Sequence, residues 1–249
     1  MSSGGFEMRK VVHRCAVLGV LALAPYQAVA RSGQEWSTIT GKTLGEDATA
    51  VHLQVAWPGL SVTLLHGYSR SFDFGGIFTF NYSYEGDVRA AYPGLKLQGY
   101  VKATLVDNPR YNIGLSFAPG VLTYFFGQTF CTPLALGTPT EFGYYWVGGR
   151  VCTGGGTQFG ITFPAGLTFG IPARDNLNIA LTFDLPLFVT FGDLGTLTVP
   201  VLFGGGVEYF LDRSKALTFN FRTGPMIFTK SGYGSDFTFQ ALVGLALKF

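Results

Sequence analysis

Asp236 to Phe249 reads DFTFQALVGLALKF. From Phe237 every second residue is apolar: Phe237, Phe239, Ala241, Val243, Leu245, Leu247 and Phe249. Between them stand Thr238, Gln240, Leu242, Gly244, Ala246 and Lys248, small or polar apart from Leu242. Strict alternation describes a strand with one apolar face and one face that tolerates water or close packing. Taken alone, it suits the last strand of a soluble sandwich as well as a strand that meets lipid. The rest of the chain decides between them.

Nine earlier segments repeat the pattern. Val51, Leu53, Val55 and Trp57 alternate with His52 and Gln54, and Leu60, Val62 and Leu64 with Ser61 and Thr63. Phe72 to Tyr84 is the cleanest, its aromatic face opposing Asp73, Thr79, Asn81 and Ser83. Further strands are expected over Leu95–Leu105, Tyr111–Phe126, Gln158–Ile171, Leu177–Phe191, Leu197–Leu211 and Leu217–Phe228. A sandwich would show water a face rich in Lys and Glu. Here the polar face is Thr, Ser, Asn, Gln and Gly, while Phe and Leu crowd the other face of every segment. Of the 249 residues 47% are hydrophobic and only 13% charged, about half the charge of ordinary soluble domains. Lipid outside and a semi-polar lumen account for both faces, so the expected fold is all-β, a closed antiparallel up-and-down transmembrane barrel.

The connections alternate between short polar turns (Ser69–Ser71, Asp107–Pro109, Arg174–Asn176, Asp212–Ser214) and longer or Gly-rich ones, with Gly127–Gly156 the longest. With short turns on the periplasmic side, the parity predicts ten strands. It requires a hairpin at Pro58-Gly59, and without that hairpin the count is eight. Pro119, Pro164, Pro186, Pro200 and Pro225 fall inside strands. Because proline donates nothing to a ladder, they are expected at bulges or strand ends. Trp57, Tyr82, Tyr84, Tyr92, Tyr124, Trp146, Tyr209 and Tyr233 fall where aromatic girdles belong.

The first thirty residues have the form of a cleaved export signal. Arg9, Lys10 and Arg14 precede the apolar stretch Cys15–Ala24, and Ala28-Val29-Ala30 offers a small-x-small cleavage site. Residues 31–47 are polar without a period and are expected as a periplasmic N-terminal tail, leaving 48–249 for the barrel. Removal of 1–30 leaves 14 basic and 14 acidic residues, a balance that argues against nucleic acid as a partner. Two cysteines remain, Cys131 and Cys152, both in the extracellular loop 127–156. In an exported chain they are expected as a disulfide rather than a metal site, worth roughly 3 kcal/mol for a loop of this size.

A terminal aromatic residue with Leu247 two before it and Gly244 five before it resembles the C-terminal insertion signal of bacterial outer-membrane β-barrels. Leu242 departs from the polar residue often found there. Over 48–249 the chain resembles small barrels of that kind, porin-like or OmpW-like. The resemblance implies residence in the outer membrane, lipid as the surroundings, and the barrel-assembly machinery as a partner through the last strand. No cofactor is expected, and no metal, since no CxxC or His partner accompanies the cysteines.

Ten strands also resemble the omptin proteases, which use paired carboxylates and a histidine at the extracellular rim. No such grouping stands in an outer loop here, and a lumenal hydrolase built on His52 with Ser61 or Thr63 is the weakest reading. The inward charges expected from parity are Asp73, Lys96, Lys102, Asp184, Glu208, Arg222 and Lys248. They form either a constriction for small solutes or pairs that lock the lumen. Tyr144, Tyr145 and Trp146 in the long loop suit a binding surface or an upper girdle. The expected function is a non-enzymatic barrel, structural or a narrow pore for small solutes, with adhesion through the disulfide-held loop as the alternative.

Overall fold

The computed structural model describes residues 35–57, 59–82, 93–125, 130–134, 137–140, 143–146, 149–153, 157–191, 196–229 and 235–249. The expected signal at 1–30, the start of the tail, Tyr84, Tyr92, Tyr233 and the connections at 83–92, 192–195 and 230–234 lie outside them.

Alternation becomes strand throughout. In chain order these are β1 (Thr49–Trp57), β2 (Gly59–Ser69), β3 (Phe72–Asn81), β4 (Gly94–Asp107), β5 (Asn112–Phe117) and β6 (Gly120–Phe125). Four short strands follow in the long loop: β7 (Phe130–Leu134), β8 (Gly137–Thr140), β9 (Gly143–Trp146) and β10 (Gly149–Thr153). The wall resumes with β11 (Thr157–Arg174), β12 (Leu177–Thr190), β13 (Thr196–Pro200), β14 (Leu202–Phe210), β15 (Lys215–Phe228) and β16 (Ser235–Lys248).

Twelve of these strands make one antiparallel sheet of ten staves. β5 and β6 are one stave, broken at Ala118-Pro119, because both pair with β4 and with β11. β13 and β14 are another, broken at Val201, because both pair with β12 and β15. The first hairpin, on which the count depended, is paired from Val55↔Leu60 to Thr49↔His66. β16 pairs with β1 from Trp57↔Ala241 to Ala50↔Lys248 and closes the sheet. Phe249 and Thr49 then exchange two backbone hydrogen bonds, at 2.8 and 3.3 Å. Ribbons β7–β10 and β8–β9 stand apart from this sheet.

The two faces are chemically inverted relative to a soluble protein. Leu53, Val55, Val62, Leu64, Phe78, Leu97, Val121, Phe159, Leu181, Phe203, Phe219 and Val243 are exposed. Their neighbours His52, Thr63, Gln98, Asn112, Thr162, Asn178, Thr182, Thr218, Asn220 and Thr238 are buried. A belt of this extent would drive aggregation in water. Hydrocarbon solvates it, and a closed ladder leaves the wall without a sheet edge to desolvate.

Short turns gather at one end with Thr49 and Phe249. Asn108 Oδ1 accepts the Arg110 and Tyr111 amides at 2.9 Å each, and Asp212 Oδ1 accepts the Ser214 amide at 2.7 Å, the usual turn chemistry of these residues. Three register shifts, at Gly67/Ser69, Thr104/Val106 and Pro172/Arg174, occur at the same end. Rims are where bulges concentrate.

Two expectations need correction. Pro119 and Pro200 do stand at strand breaks or ends, but Pro164, Pro186 and Pro225 lie within unbroken strands. Tyr124 is no girdle residue: it is 1% exposed and faces inward, its hydroxyl accepting from Asn81 Nδ2 at 3.4 Å. Its inward course continues the even parity of Asn112, Gly114 and Ser116, since the break at Pro119 leaves the register unchanged: Phe117 stands opposite Ala165 and Gly120 opposite Thr162.

Candidate functional site

Residues 35–47, expected as a tail, fold back into the short-turn end of the barrel. The segment has no helix or strand of its own; local side-chain turns shape it. Ser37 Oγ accepts the amides of Ile39 and Thr40 at 3.2 and 2.9 Å, and Thr40 Oγ1 accepts that of Lys42 at 3.3 Å. Gly45 (φ 90°) and Asp47 (φ 59°) then turn the chain into β1. A Cβ on Gly67 would overlap the Gly45 carbonyl, so the wall is thinned where this turn crosses it.

The segment is held by apolar burial and by nearly every charge that faces it. Trp36 and Leu44, 1% and 0% exposed, pack with Ala50, Leu65, Phe210, Ala216 and Ala246 of the wall. Each such side chain contributes about 1.5–3 kcal/mol. Trp36 lies edge-on to Phe210 at 5.2 Å, and its Nε1 donates to the Arg213 carbonyl at 2.8 Å. Glu208 accepts from Ser37 Oγ (2.5 Å), the Thr38 amide (3.0 Å), Thr38 Oγ1 (3.0 Å) and Asn178 Nδ2 (3.3 Å). Asp73 accepts the Leu44 amide on both oxygens at 3.0 and 3.1 Å. Lys102 donates to the Ser37 carbonyl at 2.7 Å and pairs with Asp73 at 3.4 Å. Lys248 donates to the Leu44 carbonyl at 3.0 Å, with its ammonium 5.8 Å from the Trp36 ring centre.

Above this plug lies a cavity of about 230 Å³. Thr38, Ile39 and Thr40 form its floor. Its wall runs through Lys102, Gln98, Ser116 and Asn220 to Trp57, Asn81 and Lys96 at the loop-side ends of β1, β3 and β4. Leu122, Tyr124 and Phe188 cluster inward on another sector of the upper lumen. The charges expected at a constriction therefore divide. Asp73, Lys102 and Glu208 hold the plug, Asp184 and Arg222 pair at 3.3 Å in the cavity wall, and Lys96 lines the top. The plug was beyond sequence reasoning because its partners lie up to 204 positions away.

His52 stands opposite Thr63 in the β1–β2 register, but its hydrogen bond goes the other way round the wall. Its Nε2 lies 2.8 Å from Thr218 Oγ1, reached across Gly244. A Cβ at Gly244 would fall 2.7 Å from both atoms, which gives this glycine of the expected insertion signal a packing role. His66 bonds Thr49 Oγ1 at 3.1 Å and packs on Phe74. Among the described residues no group of three His, Cys, Asp or Glu side chains could hold a metal. In the long loop, Cys131 stands opposite Cys152 in the β7–β10 register, and Tyr144, Tyr145 and Trp146 lie in β9 opposite Pro139, Thr138 and Gly137.

No protein-family model and no curated protein matches the chain. Among solved structures, it is similar to the outer-membrane protease OmpT of Escherichia coli at 10% identity. That match covers 87% of this chain and 100% of the other, with a TM-score of 0.44. Similarity to the β domain of the Bordetella autotransporter BrkA is 15% over 80% of this chain and 96% of that one, with a TM-score of 0.43. The Yersinia pestis outer-membrane protein Ail matches at 9%, covering 82% and 100%, with a TM-score of 0.33. What places the chain is its own wall: an apolar belt around a polar lumen, closed without an edge. It is a transmembrane β-barrel of the outer membrane, with lipid as its surroundings.

Proposed function

We propose that this is a non-enzymatic barrel that takes small polar solutes into its upper lumen and passes them only when residues 35–47 shift. One observation carries the reading: Asp73, Lys102 and Glu208 are committed to holding that segment across the lumen. A lumen of this width is filled readily by its own side chains, and a folded segment added to them leaves a blind cup. Planar-bilayer conductance of the refolded chain from Arg31 tests it. The intact chain is expected to be silent. Removal of 35–44 should give discrete steps that change when Lys96 and Lys102 are neutralised. Equal steps from intact and shortened chains would overturn the reading.

A second reading, binding through loop 127–156, is supported by the register that sets Cys131 against Cys152, where a disulfide would hold the β7–β10 ribbon. Tyr145→Ala with Trp146→Ala should then abolish partner capture and leave heat-modifiable migration intact. Gly244, Leu247 and Phe249 on the closing strand remain our candidates for recognition by the barrel-assembly machinery.

A further inference from the structure

The prolines that are scattered in sequence form one row in the wall. Pro164 is the register partner of Pro186. The Ala118 amide donates to the Pro164 carbonyl and the Gly99 amide to that of Pro119, each at 2.9 Å. Further round, the Val201 amide donates to the Pro225 carbonyl at 2.9 Å, and Pro200 pairs with Met226. At each of these seams proline withholds one of the two hydrogen bonds that a close antiparallel pair exchanges. Between β5 and β11 the loss is made good, since Gln98 Nε2 donates to the stranded Ala118 carbonyl at 2.8 Å.

The seam between β12 and β13–β14 is different. Its ladder runs to Asp184↔Leu202 from one side and resumes at Phe188↔Thr198. The same register places Pro186 opposite Pro200 in the gap, so neither residue has a proton to give and both bonds are missing. Four residues at about 3.4 Å each leave roughly 14 Å of seam without a ladder bond.

Unsatisfied polar atoms flank this gap, Thr198 at one end and Thr182, Asp184 and Arg222 at the other. Thr198 is 0% exposed, and its hydroxyl, like that of Thr182, has no hydrogen-bond partner. Arg222 Nε and Asp184 Oδ2 face each other at 3.3 Å yet form no hydrogen bond. Arg222 reaches Asp184 across Gly204, where a Cβ would meet its side chain. Pro186, Asp184 and Arg222 all line the lumenal cavity, so the gap has lipid on one side and polar space on the other.

We propose that this seam is a lateral portal and binding site for the anionic head group of a single-chain amphiphile drawn from the bilayer, whose tail stays in the lipid. Thr182, level with Gly204 and Arg222 in the register, supplies a hydroxyl donor and Arg222 a charged one, the kind of set a carboxylate or phosphate head accepts from. On the outer side Leu185, Leu187, Val199 and Val201 offer the tail an apolar path. The proposal needs the cavity and the seam, and does not depend on whether solutes pass the plug.

The test uses the full barrel in phosphatidylcholine vesicles, with spin-labelled stearate and its methyl ester as probes and the protein-immobilised fraction read by electron paramagnetic resonance. Stearate should be immobilised and the ester not. Pro186→Ala with Pro200→Ala should lower stearate binding by about tenfold, the scale of two added backbone hydrogen bonds. Arg222→Met should bring stearate down to the level of the ester. A second variant removes folding as an explanation: Leu187→Cys with Val199→Cys sets a disulfide across the gap. Binding should vanish when this variant is oxidised and return on reduction, with reductant leaving the parent chain unchanged. Equal binding of acid and ester, or undiminished binding with the seam cross-linked, overturns the proposal.

Discussion

Glu208→Gln is the sharpest probe of the plug. Glu208 is fully buried, and every neighbour that touches its carboxylate is a donor: Ser37 Oγ, the Thr38 amide, Thr38 Oγ1 and Asn178 Nδ2. Glutamine keeps the shape and one oxygen. If that oxygen stays with Thr38, the new NH₂ faces Ser37 and Asn178, which then have nothing to donate to. The Asn178 bond joins two wall strands and is not broken by opening, so the plug loses the Ser37 bond, worth about 2 kcal/mol as a hydrogen bond to a charged group. At about 1.36 kcal/mol per decade, plug opening becomes roughly 30-fold more frequent. Amide hydrogen exchange reads this directly, through the Thr38 and Leu44 N–H groups. Their protection should fall by that factor while β14 and β15 amides stay protected. Unchanged exchange at Thr38 in a folded barrel would refute the reasoning. So would a parent chain in which Thr38 and Leu44 already exchange like a free peptide.

Asp73→Asn leaves Lys102 buried without its counter-charge and should lower stability by about 3–5 kcal/mol. Urea unfolding in detergent measures it, and adding Lys102→Met should recover most of the loss. Gly114→Ala sets a methyl 2.6 Å from the Gly41 Cα, so the plug must move off the wall. Trypsin should then cut after Lys42 in a barrel that still migrates as folded, and resistance equal to the parent would contradict the packing. If Cys131 and Cys152 are joined, neither reacts with maleimide in the unfolded, unreduced chain, whereas Cys131→Ser exposes one reactive thiol at Cys152.

The wall was legible in the sequence because a strand's period is local. Phe78, Phe80 and Tyr82 against Thr79 and Asn81 announce their two faces without knowledge of any partner, and the parity of short and long connections supplies the count. The inward direction of Asp73, Lys102, Glu208 and Arg222 came from the same parity. What those charges do was not legible. Each contacts a segment or strand remote in sequence, and residues 35–47 carry no period to mark them as folded. Tyr124 was misplaced because its position near a strand end hid the even, inward parity that it shares with Asn112 and Ser116. The proline row was invisible for another reason: spacings such as Pro164 to Pro186 become meaningful only when the strands are set in register.

The plug also bears on the order in which the barrel is made. Trp36 is anchored to Arg213 and Phe210, Ser37 and Thr38 to Glu208, and Leu44 to Lys248. These sites come from the last third of the chain and complete a seat that Asp73 and Lys102 only begin, so the first residues of the described fold are not fully held until the final strands exist. Contacts this remote are entropically expensive to form early. Seating of residues 35–47 is therefore the closing event of folding, after β16 has met β1, and Trp36 fluorescence should report it as a phase later than strand formation.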